Sequence, residues 1–378
     1  MAAVAEVPKG TGSEAEAEEP VIMQVDLSAL LERDLDGKVS TVHLDSLALS
    51  EATAAQLAVG QRVVASLQKA GCFTLAANCI QDREARELFT EAGAYFDLPE
   101  PQKRAGRAVA RGGFIRGYVA YGQESGRKEY FEPKEGFSYG YEWPDDQPPQ
   151  NALQGCNIWP AEAPGLRPGL TRHFDWSVSI MRAVVAAIAL GLGQAPRDLL
   201  EVCAGGDTIS LMRLFRYHPA EADRACLGSS PHTDWGFLTL ILQDGTGGLQ
   251  FQHGSEGRWY DVPAREDYSL VVNGGDFLAL LTGGAFVSPV HRVQCPPVSR
   301  LSFVFFYYPG YESEVDGRQW RPSKDAPAAA ASTHNTLLDV DSGTRQVSGL
   351  AGMTSLRQFG DYINAKWQGV QRASPNDA

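Results

Sequence analysis

Ser230-Pro231-His232-Thr233-Asp234-Trp235, Asn273-Gly274-Gly275-Asp276, Ser288-Pro289-Val290-His291-Arg292-Val293 and Arg300-Leu301-Ser302-Phe303 together decide how this chain folds. His232 and Asp234 stand two apart at the mouth of a predicted strand. Period-two alternation therefore sends both side chains to one face. His291 opens a later predicted strand and can bring a third donor to the same place. Two imidazoles and one carboxylate leave three coordination positions open, which is the donor set of a non-haem Fe(II) centre that activates dioxygen. A structural zinc site would be closed by four ligands.

The same alternation places Arg300, Ser302, Val304 and Phe306 on one strand face. An arginine offers a fixed fork of donors that matches a carboxylate bidentately, and Ser302 adds a hydroxyl beside it. Taken singly, each residue has an ordinary reading. A lone histidine is usually a hydrogen-bonded core or surface residue, and His43, His173, His218, His253 and His334 are read that way. The conjunction of His-x-Asp, a later histidine and Arg-x-Ser nine residues on is what points to a metal with an acid-binding pocket beside it.

The rest of the chain bounds this reading. The 378 residues carry 33 basic and 46 acidic side chains, a formal charge of −13, which argues against a nucleic-acid surface. Apolar content of 43 % is ordinary for a globular protein, and the 39 glycines and 22 prolines suit a turn-rich β core. Six scattered cysteines with no Cys-x-x-Cys pair read as reduced thiols, hence a cytoplasmic location. No apolar run approaches the ~20 residues needed to span a bilayer, so no membrane partner is expected. Residues 1–20, with Glu14, Glu16, Glu18 and Glu19 and no apolar core, read as a disordered acidic tail rather than a targeting peptide.

In chain order, residues 21–160 form an N-terminal mixed region. Val21–Leu27 reads as a first strand, residues 51–70 as a helix ended by Gly71, and Cys72–Ala76 as a buried strand. A second helix capped by Asp82 ends before Pro99 and Pro101. Residues 105–160 read as long loop with short strands, a length often functional in a compact domain. Residues 161–206 read as helical support, with a helix capped by Thr171 and ended by Gly193, and another from Pro196. Residues 207–310 switch to period two, with strands at Phe237–Leu242, Ser269–Val272, Phe277–Leu281 and Leu301–Tyr308. Residues 311–378 read as a polar loop, with an alanine run at 328–331, and a last helix near Thr354–Trp367. Helices first and antiparallel-type strands afterwards indicate an α+β chain with a β-barrel or jelly-roll core.

With these residues in view, the chain resembles the isopenicillin N synthase-like branch of the Fe(II)/2-oxoglutarate-dependent dioxygenases over roughly residues 21–310. The resemblance is carried by Pro231-His232-Thr233-Asp234, Gly247-Gly248-Leu249-Gln250, Val272-Asn273-Gly274-Gly275-Asp276, Ser288-Pro289-Val290-His291-Arg292-Val293 and Arg300-Leu301-Ser302. It implies a double-stranded β-helix with iron on His232, Asp234 and His291. It also implies 2-oxoglutarate on Arg300, Ser302 and Tyr217, dioxygen as the second cosubstrate, and ascorbate as an accepted reductant. The implied reaction releases succinate and CO2 while a small molecule is hydroxylated, desaturated or cyclised. Two departures stand out. Phe215-Arg216-Tyr217 keeps the tyrosine of the family's Asn-x-Tyr and replaces the asparagine, and Ala77-Asn78 stands where a histidine-glycine pair is usual.

Position suggests Trp235 and Phe306 as substrate contacts, and the resemblance, which turns the long N-terminal loop to the pocket, implies Arg116 and Tyr118 as well: an aromatic wall with an arginine suited to a partly apolar, acidic small molecule. Trp235 and Phe306 fit core packing equally well. Three other readings stay open: an iron oxidase of the same fold that uses no 2-oxo acid, a ligand-binding relative without turnover, and a zinc hydrolase.

Overall fold

A computed structural model of the chain describes residues 21–373, apart from 36, 77–78, 106–115, 125–129, 221–224, 255–256, 264, 315–319 and 321–357. The acidic tail, the alanine run and His334 lie outside the described residues.

Fourteen strands are present among them: β1 (Met23–Val25), β2 (Glu32–Arg33), β3 (Val39–Ser40), β4 (Cys72–Leu75), β5 (Gly117–Val119), β6 (Lys134–Gly140) and β7 (Leu211–Tyr217), then β8 (Ser229–His232), β9 (Leu238–Asp244), β10 (Leu249–His253), β11 (Arg258–Asp261), β12 (Tyr268–Gly274), β13 (His291–Val293) and β14 (Arg300–Tyr307). Eight of them form a major sheet in the order β1-β4-β12-β9-β14-β7-β6-β5, and four form a minor sheet in the order β11-β10-β13-β8. The major sheet thus draws strands from both sides of residues 161–206. Phe215, Tyr217, Ile241 and Val304 of the major sheet share one apolar cluster with Leu249, Phe251 and Val293 of the minor sheet. The two sheets therefore face each other across an inner core, as in the double-stranded β-helix expected from the sequence.

Seven α-helices are present among the described residues. They are α1 (Ala54–Lys69), α2 (Asp82–Phe96), α3 (Glu100–Ala105), α4 (Leu166–Gly191), α5 (Pro196–Val202), α6 (Asp276–Leu281) and α7 (Phe359–Ala373). α1 begins at a reciprocal cap: Thr53 Oγ1 accepts from Gln56 N at 3.2 Å, and Gln56 Oε1 accepts from Thr53 N at 2.9 Å. It ends before Gly71, whose φ of +72° favours glycine. α4 is long and apolar enough by composition to cross a membrane. Its apolar side is instead packed on protein, with Phe174 against Phe305 at 5.1 Å and His173 against Phe303 at 5.2 Å. A fully buried phenylalanine side chain of this kind contributes roughly 1.5–3 kcal/mol.

The sequence reading needs correction at four helices. α4 starts at Leu166, before Thr171, and carries Pro168 in its first turn, where a missing N–H breaks no helical bond. α2 starts at Asp82, with Gln81 in the capping position. The third is the largest change: Phe277–Leu281, expected as a strand, lies in α6. An all-apolar run carries no period of its own, and tertiary bonds decide its conformation here. The amides of Gly275, Asp276 and Phe277 donate to the carbonyls of Phe237, Asp234 and Gly236 at 3.0, 2.8 and 3.1 Å. Those bonds turn the chain sharply after β12. The last helix lies at Phe359–Ala373, later than the sequence suggested.

Candidate active site

His232 ends β8, and His291 begins β13 directly opposite it in the antiparallel register. Asp234 follows β8 by two residues. The three side chains offer ligand atoms that all lie within 4.8 Å of one another. Asp234 Oδ1 is 3.7 Å from His291 Nε2 and 3.9 Å from His232 Nε2. Its other oxygen, Oδ2, accepts from Asn273 Nδ2 at 2.8 Å, so the carboxylate is locked with Oδ1 turned to the histidines. His232 Nδ1 donates to the carbonyl of Ser230 at 2.7 Å, and His291 Nδ1 to that of Pro289 at 3.2 Å. Tying each Nδ1–H to a carbonyl leaves both Nε2 atoms as free lone pairs aimed at one point.

The electrostatics keep His232 and Asp234 ready as donors. Desolvation, then the neighbouring His291 ring, depress the pKa of His232 to about 4. Burial by itself would push Asp234 up, but the two imidazoles and the Asn273 bond outweigh it and hold the carboxyl below its usual range. At neutral pH His232 is thus a neutral imidazole and Asp234 a carboxylate. Asp234 and His291 are buried, whereas the His232 side chain keeps 41 % exposure and marks the open side. Donor chemistry and convergence fit an iron with positions left over.

The clamp lies on β14. Arg300 is 1 % exposed, and its Nη2 donates to Gln243 Oε1 at 2.7 Å. Its Nε and Nη1, together with Ser302 Oγ and Gln243 Nε2, are buried with no partner among the described residues. Leaving such groups unpaired costs about 1–3 kcal/mol each, and more for charged ones. A carboxylate seated on the guanidinium fork and the serine hydroxyl would satisfy them together, so this site fits the carboxylate end of a 2-oxo acid. Tyr217 sits cross-strand from Arg300, which lies over its ring at 4.6 Å.

Of the four suggested substrate contacts, the structure places one, Phe306, against the inner core, on the Arg300 face of β14. Trp235 adjoins Asp234 in sequence, and its ring meets Trp367 of α7 edge-on at 5.5 Å. The other two are engaged elsewhere. Tyr118 pairs in register with Phe137 and donates to Glu135 Oε2 at 2.6 Å in a buried network with Lys103 and His218. Arg116 donates to Asn157 Oδ1 at 2.5 Å and to the carbonyl of Leu153 at 3.1 Å, holding the loop that precedes α4. His218, read as structural, belongs to the Glu135 network. His173 stacks on Trp176 at 5.3 Å, far from the metal ligands in role as well as sequence.

Sequence reasoning missed several residues of the inner wall. Arg213 donates to Ser138 Oγ at 3.1 Å, forms an ion pair with Glu124, and lies over the Phe215 ring at 4.8 Å. Lys134, cross-strand from Tyr217, lies over the same ring at 5.2 Å and pairs with Glu132. The signal was present: Lys134, Gly136 and Ser138 alternate along β6, as Arg213, Phe215 and Tyr217 do along β7. It was masked by the glycine-rich, loop-like composition around β6.

Comparison with known proteins agrees with this geometry. Residues 208–309 match the 2OG-Fe(II) oxygenase superfamily, and residues 39–162 match the N-terminal region of the non-haem dioxygenases in morphine synthesis. The chain is 31 % identical over 242 residues to 2-oxoglutarate-dependent dioxygenase caaD of Aspergillus niger, covering 62 % of this chain and 73 % of that one. It is 31 % identical over 277 residues to clavatol oxidase claD of Penicillium crustosum, covering 66 % and 80 %. Among solved structures, a full-length Neurospora crassa protein in complex with alpha-KG superposes with a TM-score of 0.67 at 23 % identity, covering 92 % of this chain and 96 % of that one.

Proposed function

This chain belongs to the 2-oxoglutarate-Fe(II) oxygenase superfamily, and we propose that it oxidises a small molecule with an aromatic or apolar body and a polar or acidic group. It is a non-haem Fe(II)- and 2-oxoglutarate-dependent dioxygenase of the double-stranded β-helix fold. The observation that carries the assignment of residues is the buried Arg300–Ser302 pair with its unsatisfied donors, on the sheet that faces the His232–Asp234–His291 centre.

In this reading His232, Asp234 and His291 hold the iron. Arg300 and Ser302 grip the far carboxylate of 2-oxoglutarate, with Gln243 steadying the guanidinium. Tyr217 offers its hydroxyl towards the cosubstrate's chelating end. Bound there, Fe(II) supplies the redox chemistry that couples dioxygen and 2-oxoglutarate, released as succinate and CO2, to oxidation of the substrate. The protein's share is placement and exclusion of water. Asn273 keeps Oδ1 of Asp234 directed at the metal, and the apolar inner wall of Phe215, Ile241, Leu249 and Val293 keeps the cosubstrate dry.

The substrate lies on the open side, beside His232. Trp235 and Phe306 supply the aromatic wall, and Arg213 takes the place intended for Arg116 as the cation on that side. The name of clavatol oxidase, a relative 31 % identical over 277 residues, supports a small organic substrate. Six free cysteines support a cytoplasmic location.

The deciding assay measures succinate formed from 2-oxoglutarate with Fe(II), oxygen and ascorbate across a panel of aromatic and acidic small molecules. Succinate release is expected, and stimulated by a true substrate. No release with any of them, from protein shown to carry iron, would sink the reading.

A further inference from the structure

We propose that Glu132 is a positioning residue for the metal ligand His232, acting through the backbone of Ser230, with Lys134 as its buried counter-ion. Glu132 stands two residues ahead of Lys134, the first residue of β6 in the major sheet. β8, which carries His232, belongs to the minor sheet and lies at its edge, paired among the described residues with β13 alone. An edge strand lacks a neighbour on one side and is held less firmly than a central one. Glu132 reaches across to it. Its Oε1 accepts from the Ser230 amide at 2.8 Å, while its Oε2 accepts from Lys134 Nζ at 2.5 Å.

The consequence runs through one residue. The Ser230 amide is held by Glu132, and the Ser230 carbonyl accepts from His232 Nδ1 at 2.7 Å. Fixing Ser230 therefore fixes the tautomer and tilt of the imidazole that must present Nε2 to the metal. Glu132 and Lys134 are 1 % and 8 % exposed, a burial that an ion pair tolerates only when its hydrogen bonds are well made. The division of the carboxylate, one oxygen for the cation and one for the amide, meets that condition. Lys134 keeps Glu132 ionised and so a strong acceptor. A carboxylate 98 residues from Ser230 in sequence matches no local motif of a metal site.

The test uses the full chain and Co(II) alone, without cosubstrate, reading affinity by calorimetry and ligand geometry by the visible spectrum. Glu132→Gln with Lys134→Met removes both charges and keeps an acceptor for Ser230. Glu132→Leu with Lys134→Met removes the acceptor as well. Glu132→Asp keeps the charge pair and draws the carboxylate back from the amide. The first variant is expected to bind Co(II) within about threefold of wild type, with an unchanged spectrum. The second and third are expected to bind about 10–100-fold more weakly, with an altered spectrum.

Equal affinity and spectrum in all variants overturn the proposal. Should the leucine variant fail to fold, Glu132→Asp decides, and wild-type-like Co(II) binding by it overturns the proposal equally. The inference rests on the metal centre described above. Wild-type protein that takes up no Co(II) would defeat that centre itself, a result distinct from failure of the Glu132 variants alone.

Discussion

Asn273 Nδ2 donates to Asp234 Oδ2 at 2.8 Å, and this one bond between the end of β12 and the loop after β8 determines which carboxylate oxygen faces the two histidines. Asn273 is fully buried, so the bond is not exchanged for water. Asn273→Leu keeps the volume and deletes the donor. Metal affinity is expected to fall about 10–100-fold, as for other outer partners of metal ligands. Calorimetric titration with Mn(II) at neutral pH checks it, and unchanged affinity would show that Asp234 needs no such anchor.

Arg300→Ala removes the fork from the cosubstrate site and leaves the metal ligands untouched. Loss of a buried charge-assisted pair should cost on the order of 2–5 kcal/mol in 2-oxoglutarate binding. Mn(II) affinity in the absence of cosubstrate should change little. The two titrations, run on the same preparation, separate a clamp from a general structural role. A parallel loss of both affinities would count against the clamp.

His173 makes acid stability testable. Burial lowers its pKa to about 3, against about 6.5 for an unperturbed histidine, and its Nδ1 has no partner among the described residues. Between these values the unfolded chain binds a proton that the native ring refuses. The native state is therefore favoured above pH ~6.5 and loses that advantage as pH falls towards 3. His173→Phe retains the stack on Trp176 and abolishes the titration. Denaturant midpoints at pH 7 and pH 4.5 should lie closer together in the variant than in wild type, and an identical pH slope would refute the assignment.

Gly60 and Gly191 let α1 and α4 cross in close contact. A Cβ on Gly191 would lie 2.3 Å from the Gly60 carbonyl oxygen, and one on Gly60 would lie 2.6 Å from the Gly191 amide. Backbone cannot move aside as a side chain can. Gly191→Ala is expected to destabilise the protein by about 1–3 kcal/mol, the usual cost of overpacking. Thermal unfolding of the variant reads this directly, and an unchanged midpoint would mean the helices slide freely.

The helix that holds Gly191 was visible in the sequence because its apolar residues recur at the helical period over many turns. Its start was misplaced: Thr171 looks like a cap, but the helix had already begun at Leu166. Phe277–Leu281 was read as a strand for the opposite reason, since five apolar residues in a row carry no period. The bonds from Gly275, Asp276 and Phe277 to the loop after β8 choose the helix, and they join segments about 40 residues apart.

The same division runs through the site. Arg300 with Ser302 was legible because strand geometry places residues two apart on one face. His232 and Asp234 converge as expected, but β8 ends at His232 and the loop after it, not strand alternation, carries Asp234. Convergence of His291 followed from its residue type and from the resemblance, and the antiparallel register with His232 gives it a physical cause. Arg116 and Tyr118 were expected at the substrate because the resemblance turns their loop to the pocket, and packing engages them with Asn157, Leu153 and Glu135. Asn273, Gln243, Glu132 and Lys134 acquire their roles only through contacts across strands and sheets.

Short-range periodicity and side-chain chemistry therefore determined the ligand types and the facing of the clamp. Tertiary structure decided how each is held, because the groups that orient a ligand lie far away along the chain and near only in the fold.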